Sequence, residues 1–238
     1  MSTPCVLVIA GLDPSGEAGL LADAEAIRAV GARPFGVATA LTVQTTRAAR
    51  KFEPVSPALV VEMAHALLLE EDVRAVKIGM IADSKIAKAV RELLRPRKDL
   101  AVVVDPVLQA SSGLLLFKGN LKDARESYLM LAHGALLTPN IPEAEVLLEG
   151  PADAQKLLPK GPRAVLLKGG HLPGDPVDVF AEGTHLERFS APRINVKARG
   201  TGCRLASAIA GGLALGVPLR EAIVAAREVV RRHLRTHN

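Results

Sequence analysis

The chain has 238 residues, of which 49% are hydrophobic, 3% aromatic and 23% charged, with a formal net charge of +5 and two cysteines. That length carries one large α/β domain over 1–238, and a core of Val, Leu, Ile and Ala with so few aromatics suits helices packed on buried parallel strands. Two cysteines exclude a disulfide scaffold and favour a reducing compartment, the cytoplasm.

The first apolar run, 6–10, reads as a buried strand. No basic leader precedes it, and Gly11 and Asp13 interrupt it, so it is not expected to be a signal peptide. A helix around 17–30, a strand over 35–40, a helix around 56–69 and a strand over 75–78 follow. Next come a helix over 84–94, a strand over 101–104, a helix near 121–131 and a strand over 135–138. A helix over 142–148, a polar segment 151–162 with one short helix, a strand over 164–167 and a hairpin of 177–181 with 185–189 lead to two long helices. This alternation predicts a mainly parallel sheet with helices on both faces. The stretch 205–219 contains Ser207, three glycines and Pro218 and falls short of the roughly 18 apolar residues of a membrane span. The last helix carries Arg220, Arg227, Arg231, Arg232 and Arg235 without interleaved aromatics, which reads as a solvated face and not as a nucleic-acid surface. The positive charge favours anionic small molecules.

In an open α/β sheet, ligands collect at the C-terminal ends of the strands, and six segments bear chemistry suited to that edge. Arg199-Gly200-Thr201-Gly202-Cys203 opens an apolar helix, and a two-glycine turn at a helix N-terminus offers converging N–H groups and a positive dipole end to an anion. Cys203 falls in the first turn, where a thiol pKa drops below its usual value of about 8.5, making it a thiolate or proton acceptor. The competing reading is a helix start capped by Thr201 with Cys203 as a small core residue. After the first strand, Gly11 to Gly19 lacks the G-x-G-x-x-G spacing of a dinucleotide turn, and Asp23 on the following helix either hydrogen-bonds a polar heterocycle or is an exposed helix acid. Gln44, after the second strand, offers a donor and an acceptor to a ring edge, or is a satisfied loop amide. Asp105 ends a strand, where it would hold a metal or orient a phosphate. Asn140 and Glu143 have the spacing of a capping box. Lys168, before Gly169-Gly170-His171, would reach nucleotide phosphates. An anion loop, a lysine and two carboxylates for magnesium suit phosphoryl transfer, and no G-x-x-x-x-G-K-[ST] is present.

With Ala10-Gly11-Leu12-Asp13-Pro14-Ser15-Gly16, Gly19 with Asp23, Val43-Gln44, Lys77-Ile78-Gly79-Met80, Asp105-Pro106-Val107, Thr138-Pro139-Asn140 with Glu143, Lys168-Gly169-Gly170-His171 and Gly200-Thr201-Gly202-Cys203 all in order, the chain resembles the hydroxymethylpyrimidine/phosphomethylpyrimidine kinases of thiamine synthesis, within the ribokinase-like superfamily. The resemblance implies a three-layer αβα sandwich and ATP-dependent phosphorylation of a pyrimidine's hydroxymethyl group, its monophosphate, or both, in a homodimer. It implies that Gly11, Asp23, Gln44, Met80 and Val107 surround the pyrimidine and that Asn140, Glu143 and Lys168 serve ATP and Mg2+; Asp105, by its own place at a strand end, is expected as a further metal carboxylate. Gly200, Thr201, Gly202 and Cys203 would form the anion hole, with Cys203 as general base.

The chain departs from the family pattern at Ser111, where the family's A-K-S-G has lysine, and at Arg199, Arg204 and Glu17, where it has histidine, a small hydroxyl residue and glycine. Arg199 is expected to replace the missing phosphate-side charge. The alternatives are a pyridoxal or pyridoxine kinase of the same branch and a non-catalytic ligand-binding derivative of the fold.

Overall fold

A computed structural model describes residues 3–110, 113–170, 174–196 and 198–236. Ser111, one of the sequence departures, its neighbour Ser112, and His171 of the lysine turn lie outside them.

Every residue of β1 (Cys5–Leu12) up to Gly11 is buried, because the strand is covered on both faces. Helix α1 (Gly19–Ala29) returns the chain to β2 (Arg33–Gln44), and β3 (Ala49–Pro54), α2 (Pro57–Glu70) and β4 (Val73–Ile78) follow. Next are α3 (Ser84–Leu94), β5 (Ala101–Val104), α4 (Leu121–Ala132), β6 (Leu136–Leu137), α5 (Ile141–Leu148), the short α6 (Ala154–Leu157) and β7 (Ala164–Leu167). The hairpin β8 (Val177–Glu182) and β9 (His185–Ser190) leads to α7 (Thr201–Ala214) and α8 (Leu219–Arg235).

The strands form one sheet in the order β3-β2-β1-β4-β5-β6-β7-β8-β9. Strands β2 to β7 in that order pair in parallel, while β3, β8 and β9 run antiparallel at the edges. Side chains alternate across it. Leu7 and Ile9 join the core under α2 to α6, whereas Val6, Val8 and Ala10 join the core under α1, α7 and α8. This is the expected three-layer αβα sandwich.

The sequence reading stopped the second strand at 40 and placed no strand over 49–54. β2 instead runs on to Gln44, since Thr39, Thr42 and Val43 are good strand formers, and β3 folds back onto it with Leu41 opposite Glu53. The first helix also starts later than the expected 17, at Gly19, which leaves 13–18 as a loop. No helix among the described residues is long and apolar enough to cross a membrane.

Because β1 connects to β2 on one side while β4 lies on its other side, the chain direction reverses at β1 and β4, and a crevice opens above their C-terminal ends. Tyr128 on α4 braces one wall of it. Its buried hydroxyl accepts from Ile81 N at 3.3 Å, with Val107 O at 3.0 Å and Gly79 O at 3.1 Å as acceptors for its one proton. Tyr128→Phe strands the Ile81 N–H in the interior, so it should destabilise the fold by about 1–3 kcal/mol. Urea unfolding measures this, and an unchanged midpoint contradicts the brace.

Candidate active site

The crevice is a cavity of about 890 Å³ whose lining includes Gly11, Gln44, Met80, Cys203, Asn140, Lys168 and Arg231. At its centre lies the start of α7. Gly200 is the N-cap, in the left-handed region at φ 66°, and no side chain caps the helix. Thr201 is therefore the first helical residue and not the cap that one sequence reading offered. Helices α2 to α6 all carry side-chain caps, from Ser56, Asp83, Asn120, Asn140 and Asp153. The first-turn amides of α7 thus remain open to the cavity, where they and the dipole favour an anion. A side chain at Gly200 would strike the Glu17 carbonyl oxygen at 2.0 Å, and one at Gly202 would meet Lys168 Nζ at 3.0 Å. Glycine at 202 lets the ammonium lie against the open helix end.

Lys168 reaches this place because β7 continues past its last paired residue, Lys168 N donating to Pro139 O at 2.8 Å alongside Asn140. Its Nζ donates to Asp105 Oδ1 at 2.6 Å and lies 3.9 Å from Glu143 Oε2. Burial opposes the charge, but the Asp105 and Glu143 carboxylates outweigh it and hold the ammonium above its ordinary pKa. Asp105 is held below the usual carboxylate range: burial pushes it up, and Lys168 and Lys77 more than offset that. Asp105 was expected to bind a metal. It lines the cavity, almost fully buried, and its Oδ1 is the counter-ion of the Lys168 ammonium. Asn140 and Glu143 do form the capping box of α5, with bonds of 2.8 and 2.7 Å, and both still line the cavity. Burial lifts the Glu143 carboxyl to about 7 against the pull of Lys168, with Asp105 adding to the rise.

Two expectations are corrected here. Asp23 does not line the cavity. It is fully buried, accepts both bonds of Lys77 Nζ at 2.9 Å and takes Ser207 Oγ at 2.7 Å. A buried lysine needs a paired carboxylate, and Asp23 answers that need, leaving Lys77 as the member facing the cavity. Cys203 does not have a lowered pKa either. The residue is half-buried and lines the cavity, yet burial pushes its thiol up to about 12. Lys77 and Lys168 pull it down, but burial together with Asp105 and Asp23 outweighs them.

Gly11, Gln44, Met80 and Val107 all line the cavity. Met80 packs directly on Gly11, where a Cβ would lie 2.6 Å from its sulfur. The sequence departures also cluster. Arg204, 4% exposed, donates from its NH1 to Glu17 O at 2.8 Å and approaches Arg199 O at 3.5 Å, and its NH2 bonds Glu25 at 2.8 Å. Arg199 lines the cavity and donates to Thr45 O at 2.6 Å, spanning from α7 to the end of β2. Sequence reasoning gave Lys77, Asp13 and Arg204 no role. Lys77 did carry a signal, a lone charge inside the apolar strand 73–78.

The family model described as phosphomethylpyrimidine kinase matches residues 13–238. The hydroxymethylpyrimidine/phosphomethylpyrimidine kinase of Rhizobium meliloti is 40% identical over 94% of this chain and 88% of its own. The thiamine biosynthesis bifunctional protein ThiED of Geobacter sulfurreducens is 41% identical over 97% of this chain, which spans about half (49%) of that longer protein. Among solved structures, phosphomethylpyrimidine kinase (thiD) from Clostridium difficile 630 superposes with a TM-score of 0.82 at 32% identity, covering 97% of this chain and 99% of that one. The pyridoxal kinase of Staphylococcus aureus in complex with pyridoxal superposes with a TM-score of 0.85 at 25% identity, covering 97% and 87%.

A thiol held near 12 stays protonated at neutral pH. Alkylation of Cys203 by iodoacetamide, followed by peptide mass spectrometry with buried Cys5 as internal reference, should rise about tenfold per pH unit from 7 through 9. A plateau at or below pH 8 contradicts the raised pKa.

Proposed function

The chain belongs to the phosphomethylpyrimidine kinase family, and from that premise we propose that it transfers the γ-phosphoryl group of ATP to the hydroxymethyl group of 4-amino-5-hydroxymethyl-2-methylpyrimidine and to the monophosphate so formed, in thiamine biosynthesis. The observation that carries the reading is the uncapped start of α7 with Lys168 lying against it, in one cavity that Gly11, Gln44, Met80 and Val107 also line. In this reading Gly11, Gln44, Met80 and Val107 hold the pyrimidine. Asn140, Lys168 and Arg199 hold ATP, and the amides of Thr201, Gly202 and Cys203 take the charge that grows on the transferred group.

Cys203 is the proton acceptor for the alcohol. Its high pKa makes the thiolate scarce but strongly basic, so turnover rises with pH above neutrality. For Mg2+ the fit is to Glu143 alone among the two carboxylates. Its Oε2 is used by the Asn140 amide, its other oxygen takes no hydrogen bond among the described residues, and Asp105 is held by Lys168. No cluster of three or more His, Cys, Asp or Glu occurs among the described residues, which matches a cation held mainly by phosphates and water. When bound, the ion neutralises phosphate charge.

The reading treats 1–238 as one kinase domain, supported by the single continuous sheet. The free thiols Cys5 and Cys203 support a cytoplasmic setting. Leu41 and Val43, exposed on β2, support a homodimer with small-molecule partners only. Pyridoxal phosphorylation is the second reading, favoured by the pyridoxal kinase fold match. A coupled assay of ATP consumption decides between them. The pyrimidine alcohol and its monophosphate should both be turned over, and Cys203→Ala should lower kcat on the alcohol at least about a hundredfold. Turnover of pyridoxal without either pyrimidine overturns the proposal.

A further inference from the structure

Gln44 sits at the end of β2 with its side chain against the loop after β1. Its Nε2 lies 2.6 Å from Asp13 Oδ2, and Gln44 is 9% and Asp13 3% exposed. The other carboxylate oxygen of Asp13, Oδ1, accepts from Ser15 N at 2.9 Å and from Ser15 Oγ at 2.7 Å. Thr42 Oγ1 donates to Leu12 O at 2.9 Å, so loop and strand are also tied one residue before Asp13 and two before Gln44.

A carboxylate only accepts hydrogen bonds, so the group of Gln44 that faces it is the NH2 and cannot be the carbonyl. That fixes the amide against the 180° flip that would otherwise exchange its two ends. One of the two N–H bonds of Nε2 goes to Asp13. The carbonyl oxygen and the second N–H remain, and Gln44 lines the cavity. The edge therefore reads acceptor next to donor, in one order.

We infer that Asp13 is a positioning residue that sets the polarity of the Gln44 amide, so that the pocket selects a heteroaromatic alcohol whose ring edge carries an amino donor beside a ring-nitrogen acceptor. The inference deepens the proposed function and rests on it. A 4-oxo ring, with a carbonyl acceptor beside a ring N–H, presents the reverse order and meets the fixed amide with two mismatched groups. Two unpaired polar contacts inside a closed site discriminate far more strongly than a missing methyl group would. Pyridoxal has no ring amino group and gains nothing from the oriented edge.

The test compares kcat/KM for 4-amino-5-hydroxymethyl-2-methylpyrimidine with that for its 4-oxo analogue. The wild-type chain should favour the amino compound by at least about a hundredfold. In Asp13→Asn the neighbouring group can donate as well as accept, the Gln44 amide is free to turn, and the ratio should fall at least about tenfold. Loss of folded protein lowers both rates alike and leaves the ratio unmoved, so a merely structural role is separated from a positioning one. Ser15→Ala, which removes one donor to Asp13 and leaves Gln44 untouched, should shift the ratio the same way by less, and it decides the matter with the wild-type ratio if Asp13→Asn does not fold. Equal wild-type rates on both compounds, or an undiminished ratio in the variants, overturns the inference while the kinase reading stands. Turnover of neither compound by the wild-type chain removes the reading and the inference together.

Discussion

Two lysine ammonium groups lie inside this protein beneath the same cavity, and each is tolerable only with a carboxylate fixed against it. Lys77 is fully buried and Lys168 nearly so. Removing one partner from such a pair typically costs about 3–5 kcal/mol, because the remaining charge is left without water or counter-ion. The pairs bridge elements far apart in sequence. Asp23 on α1 meets Lys77 on β4, 54 residues away, and Asp105 after β5 meets Lys168 after β7, 63 residues away. Ser207 adds α7 to the first pair. Once α1, α7 and the strands are docked to satisfy both pairs, the first turn of α7 has nowhere to point except into the crevice between them.

The cavity wall carries two kinds of surface. Lys168, the uncapped start of α7 and Arg199 present positive charge and donors, with Arg199 reaching Thr45 O beside Gln44. Asp13, Gln44, Met80 and Val107 present a carboxylate, an amide and apolar surface to the same cavity. Cys203 lines it too, its thiol pulled down by two cations and pushed up by burial and two carboxylates. The residues at 17, 199 and 204 belong to this frame as one cluster. Arg204 joins the Glu17 carbonyl, the Arg199 carbonyl and Glu25, which fastens the loop after β1 to the start of α7. Its Nε finds no partner among the described residues, so the strut is bought at some desolvation cost.

The layers, the parallel sheet and the location of the site could be read from alternation and from glycines and polar residues at strand ends, because those patterns are local. β3 was missed because its sequence, Ala-Arg-Lys-Phe-Glu-Pro, has one face to solvent and lacks the apolar run of the central strands. Gly11, Gln44, Met80, Val107, Asn140, Glu143, Lys168 and Cys203 were found, and the structure brings them to one cavity. What failed were statements about partners. Asp23 was read as facing a ligand because nothing in its own helix shows that Lys77, on another element, would claim it. Cys203 was given a low pKa from its place in a helix, since the burial and the two aspartates that dominate are nonlocal. The open α7 terminus, by contrast, was legible: a two-glycine turn has no side chain with which to cap itself.

The central claim is that the terminal phosphate of ATP binds between the α7 amides and Lys168, with the alcohol on the Cys203 side. A crystal structure of this chain with a non-hydrolysable ATP analogue and the aminopyrimidine alcohol tests it most directly. The account predicts the γ-phosphate oxygens within hydrogen-bond distance of the Thr201 to Cys203 amides and Lys168 Nζ, and the alcohol oxygen about 3–3.5 Å from the phosphorus, on the side of Cys203 Sγ. A γ-phosphate seated away from Gly200 to Cys203, with the alcohol remote from that sulfur, would contradict it.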